Sequence, residues 1–213
     1  MTSVLLVPGR ALGRARALGP TAGWELEPLD VEADVGSALA AGAGGSSVLF
    51  IPPGARVPRK LRRILVPHEG SPGATSGVEA ADVMSSICGA EIVVLHVPTF
   101  EVPTVPGSLA APRFVDRPQY DWAAWRNEFE RRFCRCSDGV QVSLRVATGP
   151  PAPAILDAAR RLRADLIVLA WKREAGPGRA DTLKGVLEAA PCPILIVPER
   201  AAAVRRPTTY DQL

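Results

Sequence analysis

The sequence predicts an α/β fold: a five-stranded, mostly parallel, doubly wound sheet with helices on both faces. Three observations carry that expectation. Between residues 62 and 198, short apolar runs alternate with segments of helical periodicity, and strand follows helix five times over. The crossovers are long enough to join parallel strands. Nearly half of the 213 residues are apolar but few are aromatic, a composition that suits strands covered on both sides by helices.

Ile64-Leu65-Val66-Pro67 is an unbroken apolar run, stopped by His68-Glu69-Gly70-Ser71-Pro72-Gly73, and reads as a buried strand entering a turn. A helix follows, because Val78, Ala81, Met84 and Cys88 recur on one face and Gly89 closes it. Ile92 to Val97 is a second buried strand. Residues 98–118 carry five prolines and read as an extended loop. Trp122, Trp125, Phe129 and Phe133 then fall at helical spacing, a stripe that belongs to a core rather than a cofactor box. Val140 to Val146 alternates as an outer strand does. Pro153 suits the first turn of a helix bearing Ile155, Ala158, Ala159 and Leu162. Asp165 to Ala170 is a fourth strand, a loop from Trp171 to Arg179 leads to a helix near Asp181 to Ala189, and Pro193 to Pro198 is the last strand. In such sheets ligands bind beyond the strand carboxyl ends, so the informative loops follow Val66, Val97 and Leu169.

The first sixty residues differ. Ser47 to Pro52 resembles Pro193 to Pro198, and Val35 to Ala43 resembles Thr182 to Ala189 in its small, apolar character. One fixed offset aligns both pieces, which indicates an internal repeat. The chain therefore divides into a degenerate N-terminal partial repeat (1–60) that adds a strand or two, a main domain (61–199) and a C-terminal tail (200–213).

Composition excludes several classes of function. The formal charge is +3, and the pairs Arg62-Arg63, Arg131-Arg132 and Arg205-Arg206 read as solvated faces, so no nucleic-acid partner is expected. The four cysteines show no CxxC spacing, and His68 and His96, the two histidines, lie in no acidic cluster; no metal site is expected. Met1 to Pro8 is apolar but short and lacks a basic start, and no window approaches a membrane span, so a soluble cytoplasmic protein is expected. Ser71 lacks the first glycine of G-x-S-x-G and a downstream acid-then-His order. Neither G-x-x-x-x-G-K-[ST] nor G-x-G-x-x-G is present. No catalytic residue is assigned.

With these elements placed, residues 62–198 resemble the universal stress protein family. Arg63-Ile64-Leu65-Val66-Pro67-His68-Glu69-Gly70-Ser71-Pro72 is similar to its opening strand and turn, where an Asp usually stands at the Glu69 position. Leu95-His96-Val97 is similar to its second strand. Ala164 to Leu169 followed by Ala190-Pro191-Cys192-Pro193 to Pro198 is similar to its closing half. The resemblance implies a Rossmann-like, adenine nucleotide α-hydrolase-like sheet and homodimer pairing through the exposed edge of the last strand, Ile194, Leu195, Ile196 and Val197. Nucleotide-binding members carry Gly, two residues, Gly, nine residues, then Gly with Ser or Thr after the fourth strand. Here Ala170 and Arg173 stand at the first two glycines and Ala180-Asp181 at the final pair, and the loop is about three residues short.

Glycines let bare backbone amides approach an anion, whereas Asp181, placed as a helix cap, would claim those amides itself. Two readings stay open. One is a non-catalytic regulatory module without cofactor, acting through dimerisation or a regulatory protein partner. The other is an ATP or AMP sensor in which Pro67, Glu69, Val97, Ala170 and Lys172 flank base and sugar. In that reading Arg179, with Lys172 and Arg173 in the basic loop 172–179, meets phosphate.

Overall fold

The computed structural model describes residues 3–8, 12–16, 18, 24–29, 47–98, 106–111, 120–171 and 177–199. In chain order the elements are β1 (Ser3–Pro8), α1 (Leu12–Ala15), β2 (Trp24–Leu29), β3 (Val48–Phe50), β4 (Arg63–Pro67), α2 (Thr75–Cys88), β5 (Glu91–His96), α3 (Tyr120–Phe133), β6 (Val142–Val146), α4 (Pro151–Arg161), β7 (Leu166–Trp171), α5 (Pro177–Ala189) and β8 (Ile194–Pro198).

The five strands expected from the sequence form one parallel block, β8-β7-β4-β5-β6. The sheet is larger than that block. Eight strands run in the order β2-β1-β3-β8-β7-β4-β5-β6, because the N-terminal segment contributes three. β1 lies parallel to β2 and β3, while β3 meets β8 antiparallel. This corrects two expectations, the strand count and the free edge of Ile194 to Val197. That edge is occupied in the same chain: Val48 pairs with Ile196, Leu49 with Leu195 and Phe50 with Ile194. The stretch from Val35 to Ala43 lies outside the described residues.

Alternation along the strands separates two cores. Ile64, Val66, Ile92 and Val94 point to one face, where they meet Val78, Ala81 and Met84 of α2 and Trp125, Phe129 and Phe133 of α3. Leu65, Val93, Ile167 and Leu169 point to the other, against Ile155 and Ala159 of α4 and Leu183, Val186 and Leu187 of α5. β3 serves both: Leu49 joins the first core, and Val48 and Phe50 join the second. α2 ends where Gly89 takes φ 71° and returns its N–H to the Ser85 carbonyl at 2.7 Å.

The chain leaves β4 through α2 on one face and leaves β7 through α5 on the opposite face. β4 and β7 are neighbours, so their carboxyl ends form the switch point of the sheet, the place where such folds form a crevice. At the other end of the same strands, buried Asp165 fastens the segment that joins the two parts of the chain. Its Oδ2 accepts the backbone N–H of Arg62 at 2.9 Å and of Arg63 at 3.2 Å, and its Oδ1 accepts Arg56 Nη2 at 2.6 Å. The Arg56 N–H donates to the Pro191 carbonyl at 2.9 Å.

Removing this carboxylate strands two backbone donors, each costing about 1–3 kcal/mol when left unpaired. Asp165→Ala is expected to lower unfolding stability by about 2–4 kcal/mol in urea titrations. A change below about 0.5 kcal/mol would show that the junction does not depend on it.

Candidate functional site

The switch-point crevice is bordered by the turn after β4, the first turn of α5 and the residue after β8. In the turn, Gly70 takes φ +90° and accepts the Leu109 N–H on its carbonyl at 2.8 Å. A Cβ at Gly70 would lie 2.7 Å from the Leu109 carbonyl oxygen, so this position needs glycine for both conformation and space. The buried Ser71 hydroxyl donates to Glu69 Oε1 at 2.6 Å.

Arg179 sits in the first turn of α5 and spans the crevice. Its Nε lies 3.0 Å from Glu69 Oε2, and its Nη2 pairs with Glu199 Oε1. The Glu199 side chain is only 9% exposed, and its backbone N–H donates to the Trp171 carbonyl at 2.9 Å. The same carboxylate lies over Gly73: a Cβ there would come within 2.5 Å of Glu199 Oε2. One guanidinium thus holds two carboxylates of its own chain at the carboxyl-terminal edge of the sheet.

Phosphate loops work by converging backbone N–H groups and a helix N-terminus on the anion. Here α5 opens on Pro177, which has no N–H to give. Each carboxylate repels a unit negative charge at 4 Å by about 4 kcal/mol at an effective dielectric near 20.

The sequence-selected residues separate in space. Pro67 closes β4, and Glu69 and Arg179 meet as described. Val97 is buried on the face covered by α4 and α5. Ala170 packs on the opposite face, below α2, where a Cβ at Gly77 would approach its N at 3.6 Å and its Cβ at 3.8 Å. Asp181 corrects an expectation. Pro177, whose fixed φ suits the first helical position, starts α5 four residues earlier than the sequence reading placed it. Asp181 therefore stands exposed in the second turn and caps nothing. Ala180 is half-buried beside it. Lys172 and Arg173 lie outside the described residues.

Sequence reasoning missed Glu199. Its available signal was position alone, one residue past a strand that ends beside β7. It also missed how the aromatic stripe of α3 is used. His68 packs on Phe129 and Phe133, with ring centroids 5.2 and 4.8 Å away, and His96 packs on Trp125 and Phe129 at 5.1 and 5.0 Å. The Gly70 N–H donates to His68 Nδ1 at 3.0 Å, which puts the His68 proton on Nε2. His96 Nδ1 lies 2.8 Å from the His68 carbonyl oxygen, an acceptor, so His96 carries its proton on Nδ1. Both Nε2 atoms are buried without a partner among the described residues. Burial, then the nearby His96 and Arg179, lowers the His68 pKa to about 3, and burial also lowers that of His96. Both rings are held neutral.

Burial likewise pushes the thiols of Cys134 and Cys192 up to about 12, which withholds their thiolates. Among the described residues no group of three or more His, Cys, Asp or Glu side chains gathers to hold a metal. No described helix is long and apolar enough to cross a membrane.

A family model described as the universal stress protein family matches residues 60–198. No curated protein matches the chain. Among solved structures, a universal stress protein from Archaeoglobus fulgidus aligns at TM-score 0.54 and 15% identity over 89% of this chain and 78% of that one. A functionally unknown protein from Pseudomonas aeruginosa aligns at TM-score 0.54 and 16% identity over 93% of each. An Arabidopsis thaliana family member solved with AMP bound aligns at TM-score 0.41 and 20% identity, over 66% of this chain and 93% of that one. At these identities the likeness is one of fold.

The neutral histidines predict acid sensitivity. The unfolded chain takes up protons below about pH 6.5 that the folded His68 refuses until about pH 3. Its contribution is whole above 6.5 and falls by about 1.4 kcal/mol for each pH unit below it. Urea unfolding followed by Trp fluorescence is expected to show lower stability at pH 5 than at pH 7, with a smaller difference in His68→Gln. Equal stability at both pH values in the parent chain would contradict the packing described.

Proposed function

The chain belongs to the universal stress protein family, and from that premise we propose that it is a non-catalytic regulatory module whose nucleotide-phosphate position is filled by its own carboxylates. The observation that carries this reading is Arg179, engaged by Glu69 and Glu199 across the switch-point crevice. A cation neutralised inside its own fold is a poor anchor for a ligand's charge, and Glu199 is the more protected of the two partners.

Catalysis has little to draw on at this edge. The two histidines are the groups best suited to move protons near neutral pH, and both are buried among aromatic rings. The Ser71 hydroxyl donates its hydrogen bond to the Glu69 carboxylate rather than to a histidine. Signalling then runs through protein contacts rather than turnover. A cytoplasmic setting agrees with four cysteines that form no disulfide.

The sensor reading, in which ATP or AMP binds through the loop 172–179, depends on Lys172 and Arg173, outside the described residues, and on Arg179 leaving both carboxylates. Protein purified without added nucleotide is expected to show no excess absorbance at 260 nm, and titration calorimetry with ATP or AMP at concentrations up to about 1 mM is expected to show no binding heat, an affinity weaker than about −4 kcal/mol. Glu199→Ala frees one side of Arg179, so ATP affinity is expected to rise in that variant. One-to-one binding by the parent chain at micromolar affinity would overturn the proposal in favour of the sensor.

A further inference from the structure

We propose that the amino-terminal edge of the sheet, opposite the Arg179 crevice, is a docking surface for an acidic segment of a partner protein.

Two stretches of chain meet at that edge: residues 56–63, which carry five cations, and residues 160–163, which carry three. Asp165 brings them together. It accepts the N–H groups of Arg62 and Arg63, and its own N–H donates to the Arg63 carbonyl at 2.9 Å. The Arg63 guanidinium adds a bond to the Leu162 carbonyl at the end of α4. The acids in contact with these cations are already engaged: Asp165 with Arg56 at 2.6 Å, Glu91 with Arg63 at 3.0 Å and Asp157 with Arg161 at 2.9 Å. Arg160 reaches the Ala189 carbonyl at 3.4 Å. Arg59, Lys60, Arg62 and Arg163 remain, exposed and with no side-chain partner among the described residues.

Local folding turns these four outward. Pro58 and Leu61 are buried, which holds Arg59, Lys60 and Arg62 at the surface on either side of Leu61. α4 ends in two bonds, from the Arg163 N–H to the Arg160 carbonyl at 3.1 Å and from the Ala164 N–H to the Ala159 carbonyl at 2.9 Å, and Arg163 takes φ 51°. Glycine ordinarily fills that position, because a Cβ strains the left-handed region. Helix capping therefore does not account for an arginine there. The helix dipole does not account for the loop either. Arg160 and Arg161 lie in the last turn of α4, where cations offset the carbonyl ends, whereas Arg59, Lys60 and Arg62 belong to no helix.

The chemistry of the surface selects its partner. A guanidinium pairs two-pronged with a carboxylate or a phosphate. Arg59 and Arg62, three residues apart, span at most about 11 Å, a third of one duplex turn of about 34 Å. Neither stretch contains an aromatic ring, Asn or Gln that would stack on or read a base. In an extended peptide every second side chain projects to the same side, about 7 Å along, so a short run of Glu or Asp matches a patch of this length. Such docking rests on the chain being a module that works through protein contacts, yet it uses no residue of the Arg179 crevice.

A fluorescein-labelled decapeptide of alternating Glu and Ser, titrated with the full chain and followed by anisotropy, tests the surface. At about 50 mM salt the expected Kd is below about 100 μM, weakening at least about tenfold at about 500 mM. Arg59→Glu/Lys60→Glu/Arg62→Glu is expected to show no binding at about 1 mM, while Arg145→Glu, on β6 away from the patch, binds as the parent does. Arg163→Gly keeps the test decisive should the triple variant fail to fold. It is expected to unfold at the same or a higher urea concentration than the parent, yet to bind the peptide about threefold more weakly. No peptide binding by the parent, unchanged affinity in a folded triple variant or in Arg163→Gly, or tighter binding of duplex DNA than of the peptide at equal salt would each overturn the proposal, the last in favour of a nucleic acid. ATP binding by the parent chain would contradict the regulatory reading of the crevice and leave these outcomes unchanged.

Discussion

Arg179 draws three distant parts of the chain to one point. Its guanidinium joins Glu69 in the turn after β4, the first turn of α5 and Glu199 beyond β8. A parallel sheet leaves its carboxyl ends lined with strand termini and helix starts, and something must satisfy the polar groups gathered there. Here the Glu199 carboxylate serves, lying over Gly73 where the absence of a side chain leaves room for it. The functional reading follows from that internal anion.

Two short contacts close the molecule at separate places. At the crevice Arg179 is held by carboxylates of its own chain, and at the β8 edge a three-residue strand of the same chain pairs with Ile194 to Ile196. Each reaches buried territory: Val48 and Leu49 are fully buried, and the Glu199 side chain nearly so. Burying a Val or Leu side chain contributes about 1.5–3 kcal/mol, which makes even a three-residue strand a substantial fastening when it sits in both cores at once. Asp165 secures the junction between the two arrangements, so the N-terminal part and the main domain are held as one sheet.

The main domain was legible in the sequence because its strands are short, uncharged runs and its helices carry clean apolar stripes. Val78, Ala81 and Met84, then Trp125, Phe129 and Phe133, occupy the faces their spacing assigns. The likeness of Ser47–Pro52 to Pro193–Pro198 is visible in the sequence, though nothing in either run states that the two pair with each other. Pairing across a sheet depends on which edge is free, and that is a property of the assembled fold. The same limit applies to the site. Glu69 and Arg179 could be singled out by position, but their contact joins residues far apart in sequence. Glu199 left no local signature. Asp181 was read as a cap because its side chain suits one, whereas Pro177, whose fixed φ suits the first helical position, starts the helix four residues earlier.

The account stands on where the Glu199 carboxylate goes when a nucleotide is offered. A crystal structure grown with ATP at millimolar concentration tests it directly. The expected result is Arg179 still bridging Glu69 and Glu199 with no phosphate density between β7 and α5. Phosphates seated at the start of α5 with Glu199 swung away from Arg179 would contradict it.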